Sequence, residues 1–189
     1  FRQSENACRC RRTGQGQVIS QGPGTPSVGL KADNRGRLFV AGGPAGTGRV
    51  VDIQSGVIVK SYQFTTATSF VNDVVLAPGA AWFTDSQQPQ LYKVGIGDGG
   101  TLSETATTLP LSGDYQHIAN GIVRSPDGLG LIIVQSSTGF LFKVDTGTGH
   151  TTKVDLGGAL MTNGDGLLLL EQTLYVVQNR LNKIAVLEL

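Results

Sequence analysis

Short apolar runs recur along the chain in pairs, and a tight turn separates the two members of each pair. The second run of a pair is richer in β-branched and aromatic residues than the first, a pattern typical of a β-hairpin. The pairs occupy residues 28–32 with 37–41, 71–75 with 81–85, 119–123 with 130–134, and 164–168 with 173–177. They return at a period of roughly 40 to 50 residues, which predicts a β-propeller in which each repeat forms one blade.

A third strand is predicted in every repeat, and a fourth strand in three of the repeats. The third strands lie at residues 49–53, 91–94, 141–145 and 183–187, and the fourth at 57–62, 105–109 and 151–155. We therefore predict an all-β fold with about four blades of four strands, as part of a six-bladed ring. Because an open ring exposes apolar surface and strand edges, we expect the chain to be the middle portion of a longer protein.

The predicted domain organisation is simple. Residues 1–16 are polar and irregular, and residues 17–189 form one partial propeller domain, in which residues 17–20 are predicted as a lone outer strand. A composition with 39% apolar and 15% charged residues fits a globular body, and 27 glycines fit many tight turns.

Charge and hydropathy narrow the set of partners. Fifteen basic and fourteen acidic side chains leave a net charge of +1, which gives no reason to expect a nucleic-acid partner. No apolar stretch approaches the roughly 20 residues that cross a bilayer, so we expect no membrane partner. A small-molecule substrate is the expected ligand, and a homo-oligomer is left open. Localisation is left open between secretion and the cytoplasm, with a slight lean towards secretion.

The cysteines and histidines offer little chemistry. Cys8 and Cys10 are separated by one residue, which disfavours an unstrained disulfide, and two thiols alone do not make a zinc site. His117 precedes a first strand, where it either faces the channel mouth or lies in a solvated loop, and His150 falls in a turn.

Alignment of the first strands places Gly29, Asn72, Asn120 and Asp165 at one repeat position. The innermost strand of each propeller blade lines the central channel, so we expect these positions to form a ring. Two amide oxygens and a carboxylate suit Ca²⁺, Mg²⁺ or Mn²⁺ and tolerate Zn²⁺. The alternative is that these polar residues cap turns or bind water in the channel.

The residues around these positions resemble the regucalcin and gluconolactonase family of six-bladed propellers. The resemblance extends over residues 28–189 and is carried by the series Asn-Asp, Asn-Gly and Asp-Gly at 72–73, 120–121 and 165–166. It implies one divalent metal, Ca²⁺ or Zn²⁺, and a metal-dependent hydrolase that opens lactones. It also implies that Asn72 contacts the metal or the substrate, that Asn120 is a ligand, and that Asp165 is a ligand and the general base.

The chain departs from that family at several positions. The glutamate ligand from the first blade has no counterpart here, and Phe70 stands where many members carry a substrate-binding arginine. Because one carboxylate remains among the three ligands, we expect weak metal affinity and little or no catalysis by this portion of the protein. The competing hypothesis is a non-catalytic propeller that binds a partner or assembles with itself.

Overall fold

The computed structural model describes residues 18–115 and 118–189, and the described chain folds into four antiparallel sheets in chain order. Sheet 1 contains β1 (Leu30–Ala32), β2 (Arg37–Ala41), β3 (Thr47–Asp52) and β4 (Ile58–Gln63). Sheet 2 contains β5 (Val71–Ala77), β6 (Ala80–Asp85), β7 (Gln90–Gly95) and β8 (Thr107–Pro110). Sheet 3 contains β9 (Ser112–Gly113), β10 (Ala119–Arg124), β11 (Leu131–Gln135), β12 (Phe140–Val144) and β13 (His150–Lys153). Sheet 4 contains β14 (Gly164–Leu170), β15 (Thr173–Gln178) and β16 (Lys183–Glu188), with a 3₁₀ turn, Asn179–Leu181, before β16.

This series of sheets is the repeated blade of a β-propeller, so the predicted all-β fold is confirmed. In each sheet the strands follow one another in space as they do in sequence, except that β9 adds to the outer edge of sheet 3, parallel to β13. The second strands β6 and β11 are buried at every residue, because a neighbouring sheet covers each of their faces. That double burial explains their continuous apolar runs.

The core lies between the sheets and consists of three clusters. The cluster between sheets 1 and 2 includes Phe39, Val50, Tyr62, Phe83 and Tyr92. The cluster between sheets 2 and 3 includes Trp82, Leu91, Ile122, Ile133 and Phe142. The cluster between sheets 3 and 4 includes Val123, Ile132, Leu141, Leu174 and Val176. Sheets 2 and 3 therefore contribute alternate residues to a neighbour on either side, whereas sheets 1 and 4 each pack against one neighbour.

The N-terminal part of the described chain differs from the prediction. A lone outer strand was predicted at 17–20. Residues 18–20 form no strand, so the prediction is wrong for these three residues. Instead, residues 18–27 cross the face of sheet 1 that points away from sheet 2, and Arg49 on β3 donates to the carbonyl oxygen of Pro26 at 3.1 Å. The irregular segment predicted at 1–16 and both cysteines lie outside the described residues.

Among the described residues, none belongs to a helix that is long and apolar enough to cross a membrane.

Candidate functional site

A β-bulge occurs at the same place in three of the sheets. The register between the first and second strands shifts between Val71 and Val74, between Ala119 and Ile122, and between Gly164 and Leu167. The bulged residues are the pairs 72–73, 120–121 and 165–166, which are the pairs that the sequence singled out. Bulges interrupt the ladder and re-aim side chains, so these residues turn away from the regular alternation of the sheet.

The first strands of neighbouring sheets run side by side at this level. The N–H of Gly29 donates to the backbone oxygen of Asn72 at 2.7 Å, and the hydroxyl of Thr84 donates to the backbone oxygen of Asn120 at 2.7 Å. Gly121 lies so close to sheet 4 that an added Cβ would stand 2.0 Å from the backbone oxygen of Asp165. The inner strands therefore converge.

The strand register corrects one alignment. Val40 and Phe83 both face the side of their sheet that points away from the following sheet. Leu30 pairs with Val40 and Val74 pairs with Phe83, so Leu30 and Val74 are equivalent. Gly29 then occupies the repeat position of Asp73 rather than that of Asn72. The one-residue error arose because the sequence does not show where the bulges insert their extra residue.

The three predicted site residues make different contacts. The side-chain amide of Asn72 donates to Ser86 Oγ at 2.9 Å, and that hydroxyl donates to the backbone oxygen of Ala119 at 2.6 Å. Asp165 Oδ2 accepts from Asn179 Nδ2 at 2.6 Å. Asn120 Oδ1 is buried and has no hydrogen-bond partner within the described chain. A buried amide oxygen without a donor is costly and indicates a missing partner such as water or a cation.

A cavity of about 280 Å³ lies between the inner ends of sheets 3 and 4. It is lined by Ile118, Asn120, Ser136, Ser137, Asn163, Asn179 and Arg180. Asn179, whose side chain donates to the Asp165 carboxylate, is one of these residues, whereas Asp165 itself is not part of the lining. Asn72 lies on sheet 2 and is not part of the lining.

Asp73 is a charged residue of the site, and the sequence analysis predicted no role for it. Burial raises the pKa of Asp73, and the hydrogen bonds that its carboxylate accepts from the N–H groups of Val74 and Ile122 only partly offset that effect. The charge of Lys31 also lowers this pKa, and the charge of Asp165 raises it. Charges on sheets 1 and 4 therefore act on Asp73 in sheet 2. The pair Asn72-Asp73 was the only available signal in the sequence.

The predicted donors are amide and carboxylate oxygens, the kind of ligand that hard cations prefer. Within residues 18–115 and 118–189, no three or more His, Cys, Asp or Glu side chains form a group suited to a metal. The set predicted from the sequence would rely instead on the amide oxygens of Asn72 and Asn120, with Asp165 as the carboxylate. The orphaned oxygen of Asn120 and the Asp165 oxygen that Asn179 leaves unbound fit oxygen coordination. His117 lies outside the described residues, and His150 is an exposed residue of β13 at the outer part of sheet 3 rather than a turn residue.

Comparison with known proteins identifies the fold and no family. No protein-family model matches the chain, and no curated protein matches it. A streptogramin B lyase structure superposes with a TM-score of 0.66 at 19% identity, covering 89% of this chain and 56% of the lyase. Virginiamycin B lyase from Staphylococcus aureus superposes with a TM-score of 0.66 at 14% identity, covering 91% and 58%. The β-propeller domain of Cps50 (Swd1) from Myceliophteria thermophila gives a TM-score of 0.59 at 18% identity, covering 83% and 50%.

These likenesses establish a β-propeller fold. The chain spans a little over half the length of the two lyases. Sequence identities below 20% support a shared fold and no more specific relationship. They are consistent with a propeller family in general and do not single out regucalcin.

Proposed function

We propose that the inner ends of sheets 2 to 4 form a divalent-metal site for hydrolysis of a lactone or ester. The observation that carries the proposal is the buried Asn120 Oδ1, which lacks a donor and shares a cavity with the residue that holds Asp165. Asn72, Asn120 and Asp165 would hold the ion, Ca²⁺ or Zn²⁺. When bound, such an ion polarises a carbonyl and lowers the pKa of water.

Asp165 is the general base in this proposal. Asn179 donates to one carboxylate oxygen at 2.6 Å and so fixes the rotation of the carboxyl group. The other oxygen would contact the ion, and Oδ2 keeps a second lone pair with which it can accept a proton from an attacking water. Asn72 would contact the substrate as well as the ion, and its amide is oriented by the hydroxyl of Ser86. Asn179 and Ser86 are positioning residues, because each acts through a residue of the site.

Affinity for the ion is expected to be modest. One carboxylate among three ligands supplies little charge, and the nearby Asp73 is engaged by two backbone N–H groups. The neighbouring charge of Asp73 still favours a cation at this end of the sheets.

Calorimetric titration of the chain with CaCl₂ and with ZnCl₂ tests the site. We expect one ion to bind per chain and the affinity to fall at least tenfold in Asp165→Asn, an isosteric change that removes the charge. Asp155→Asn is the matched control, because Asp155 accepts an N–H within an exposed turn on sheet 3's outer side. Glucono-1,5-lactone, followed by pH-stat, is the activity probe. Equal heats for the wild type and Asp165→Asn, or no heat at all, would rule the metal site out.

A self-assembling scaffold is the second candidate, and the free face of sheet 4 favours it. Leu168 pairs with Tyr175, Tyr175 pairs with Val186, and Val177 pairs with Ile184, which makes one continuous apolar face. The equivalent residues of sheet 3, Val123, Ile132, Val134 and Leu141, are buried against sheet 4. In sheet 4 the exposed fractions reach 58% for Val186 and 65% for Ile184.

The occupant we propose for this face is a second copy of the chain. A two-fold contact between two such faces would bury both apolar surfaces at once, as face-to-face sheets do. Light scattering after size exclusion should show a dimer, and Ile184→Lys with Val186→Lys should make it monomeric. Val59→Lys, an exposed residue of β4, is the control that should leave the dimer intact. A wild-type monomer at high concentration would eliminate this candidate.

A further inference from the structure

Arg49 occupies a position that is aromatic in the next two sheets. The rows of paired residues are Leu30, Val40 and Arg49 in sheet 1, and Val74, Phe83 and Tyr92 in sheet 2. In sheet 3 the row is Ile122, Ile133 and Phe142. Tyr92 and Phe142 are buried against the preceding sheet. The third residue of the row is therefore a cation in sheet 1 and a buried aromatic residue in sheets 2 and 3.

The guanidinium of Arg49 is buried, and the described residues supply no counter-ion for it. Arg49 is only 6% exposed, and its polar contacts are the carbonyl oxygen of Pro26 and the hydroxyl of Ser27. Of the ion pairs in the described parts of the chain, none includes Arg49. Burial also lowers the pKa of Arg49, and no acid among residues 18–115 and 118–189 offsets that effect. A buried charge is stable when it is paired, so an unpaired one indicates an anion that is bound from outside.

An open cavity of about 560 Å³ adjoins this guanidinium. Residues 19–22 and 24–27 form one wall of the cavity, and the free face of sheet 1 forms the other. Its apolar walls are formed by Ile19, Pro26, Leu30, Leu38, Val40 and Val51. A volume of this size is within the range of small-molecule sites, which are mostly apolar with a few polar groups that set orientation.

We propose that this cavity binds an organic carboxylate with an apolar body. The carboxylate pairs with the Arg49 guanidinium, whose planar fork matches two carboxylate oxygens, and the apolar body lies along Leu30, Leu38 and Val40. Ser20, Thr25 and Ser27 also line the cavity, and their hydroxyls are donors of the kind that a carboxylate accepts.

Two other ligand classes fit less well. An inorganic anion would leave the apolar walls in contact with water, and a neutral apolar molecule would leave the guanidinium unpaired. The cavity lies on the far face of sheet 1 and shares no lining residue with the cavity at Asn120. This site is therefore independent of the proposed metal site.

Calorimetry with sodium octanoate at neutral pH tests the proposal, with octan-1-ol as the neutral probe of the same length. We expect one octanoate per chain and at least tenfold weaker binding of octan-1-ol. Arg49→Met keeps an unbranched apolar side chain but removes the charge, and it should weaken octanoate binding at least tenfold. Arg124→Met is the matched control, because Arg124 is exposed on β10 and lies away from this cavity.

The outcomes are separable. No octanoate binding to the wild type, equal binding of octanoate and octan-1-ol, or unchanged binding by Arg49→Met would each overturn the proposal. Circular dichroism of Arg49→Met shows whether that variant is folded. If it is not, the comparison of octanoate with octan-1-ol on the wild type decides the question without the variant.

Discussion

The carboxylate of Asp73 on sheet 2 accepts the backbone N–H of Ile122 on sheet 3, with 3.2 Å between Oδ2 and N. Its other oxygen accepts the N–H of Val74 in its own sheet at 2.8 Å. One side chain therefore accepts a backbone N–H from each of two neighbouring sheets. These hydrogen bonds lie where the β-bulges interrupt the hydrogen-bond ladders of the two sheets.

The raised pKa of Asp73 has a consequence for stability. A carboxyl whose pKa is higher in the folded state than its ordinary 3.8 binds more protons when folded, so it contributes less stability as pH rises through that interval. We expect the unfolding free energy of the wild type, relative to Asp73→Asn, to decrease as pH rises from about 4 towards neutrality. Urea unfolding of both proteins across this range measures the difference, and a difference that grows with pH would contradict the assignment.

Asp85 and Tyr92 form a buried polar pair in sheet 2. Asp85 Oδ1 accepts N–H groups from Phe70, Gln87 and Gln88, and Oδ2 accepts the Tyr92 hydroxyl at 2.7 Å. Tyr92→Phe leaves that oxygen without its phenolic donor, so we expect a loss of about 1–3 kcal/mol in the free energy of unfolding. Tyr175→Phe on sheet 4 is the control and should stay within about 0.5 kcal/mol of wild type. Equal losses in the two variants would contradict this account.

Gly121 and Gly166 occupy the same position in consecutive repeats but face different surroundings. An added Cβ at Gly121 would stand 2.0 Å from the Asp165 backbone oxygen, whereas one at Gly166 would meet open space. We expect Gly121→Ala to destabilise the protein by about 1–3 kcal/mol, because the two sheets must separate. Gly166→Ala should be nearly neutral. Thermal unfolding of both variants checks the convergence of the inner strands, and a neutral Gly121→Ala would count against it.

The charge of the proposed metal site can be increased by one substitution. Asn120→Asp converts the orphaned amide oxygen into a carboxylate, and we expect Ca²⁺ to bind about tenfold more tightly, because ligand charge tunes affinity. Asn163→Asp is the control, since Asn163 lines the same cavity without occupying the repeat position of Asn120. Calorimetry on both variants gives the comparison. Tightening by Asn163→Asp alone would place the ion elsewhere in the cavity.

Much of the fold could be predicted from local pattern. The continuous apolar runs at β6 and β11, the turns that follow the first strands and the period of the repeat were enough to predict four sheets in chain order. The residues Asn72, Asn120 and Asp165 were also predicted as one set. Their roles as ligands and base stay predictions that the metal titration must decide.

Other features depend on contacts between distant segments. Strand register decided that Gly29 is level with Asp73, and the approach of sheets 2 and 3 gave Asp73 its partner Ile122. The sequence places Arg49 in an ordinary strand and gives no sign that residues 18–27 fold over it.

The sequence by itself determined the strands and their order, because the alternation of side chains along a strand and the chemistry of turns act over a few residues. Only the tertiary structure decided which polar groups lost their water and which found partners. Burial and long-range hydrogen bonds depend on how whole sheets pack, and residues as far apart as Asp73 and Ile122 meet only once that packing has formed.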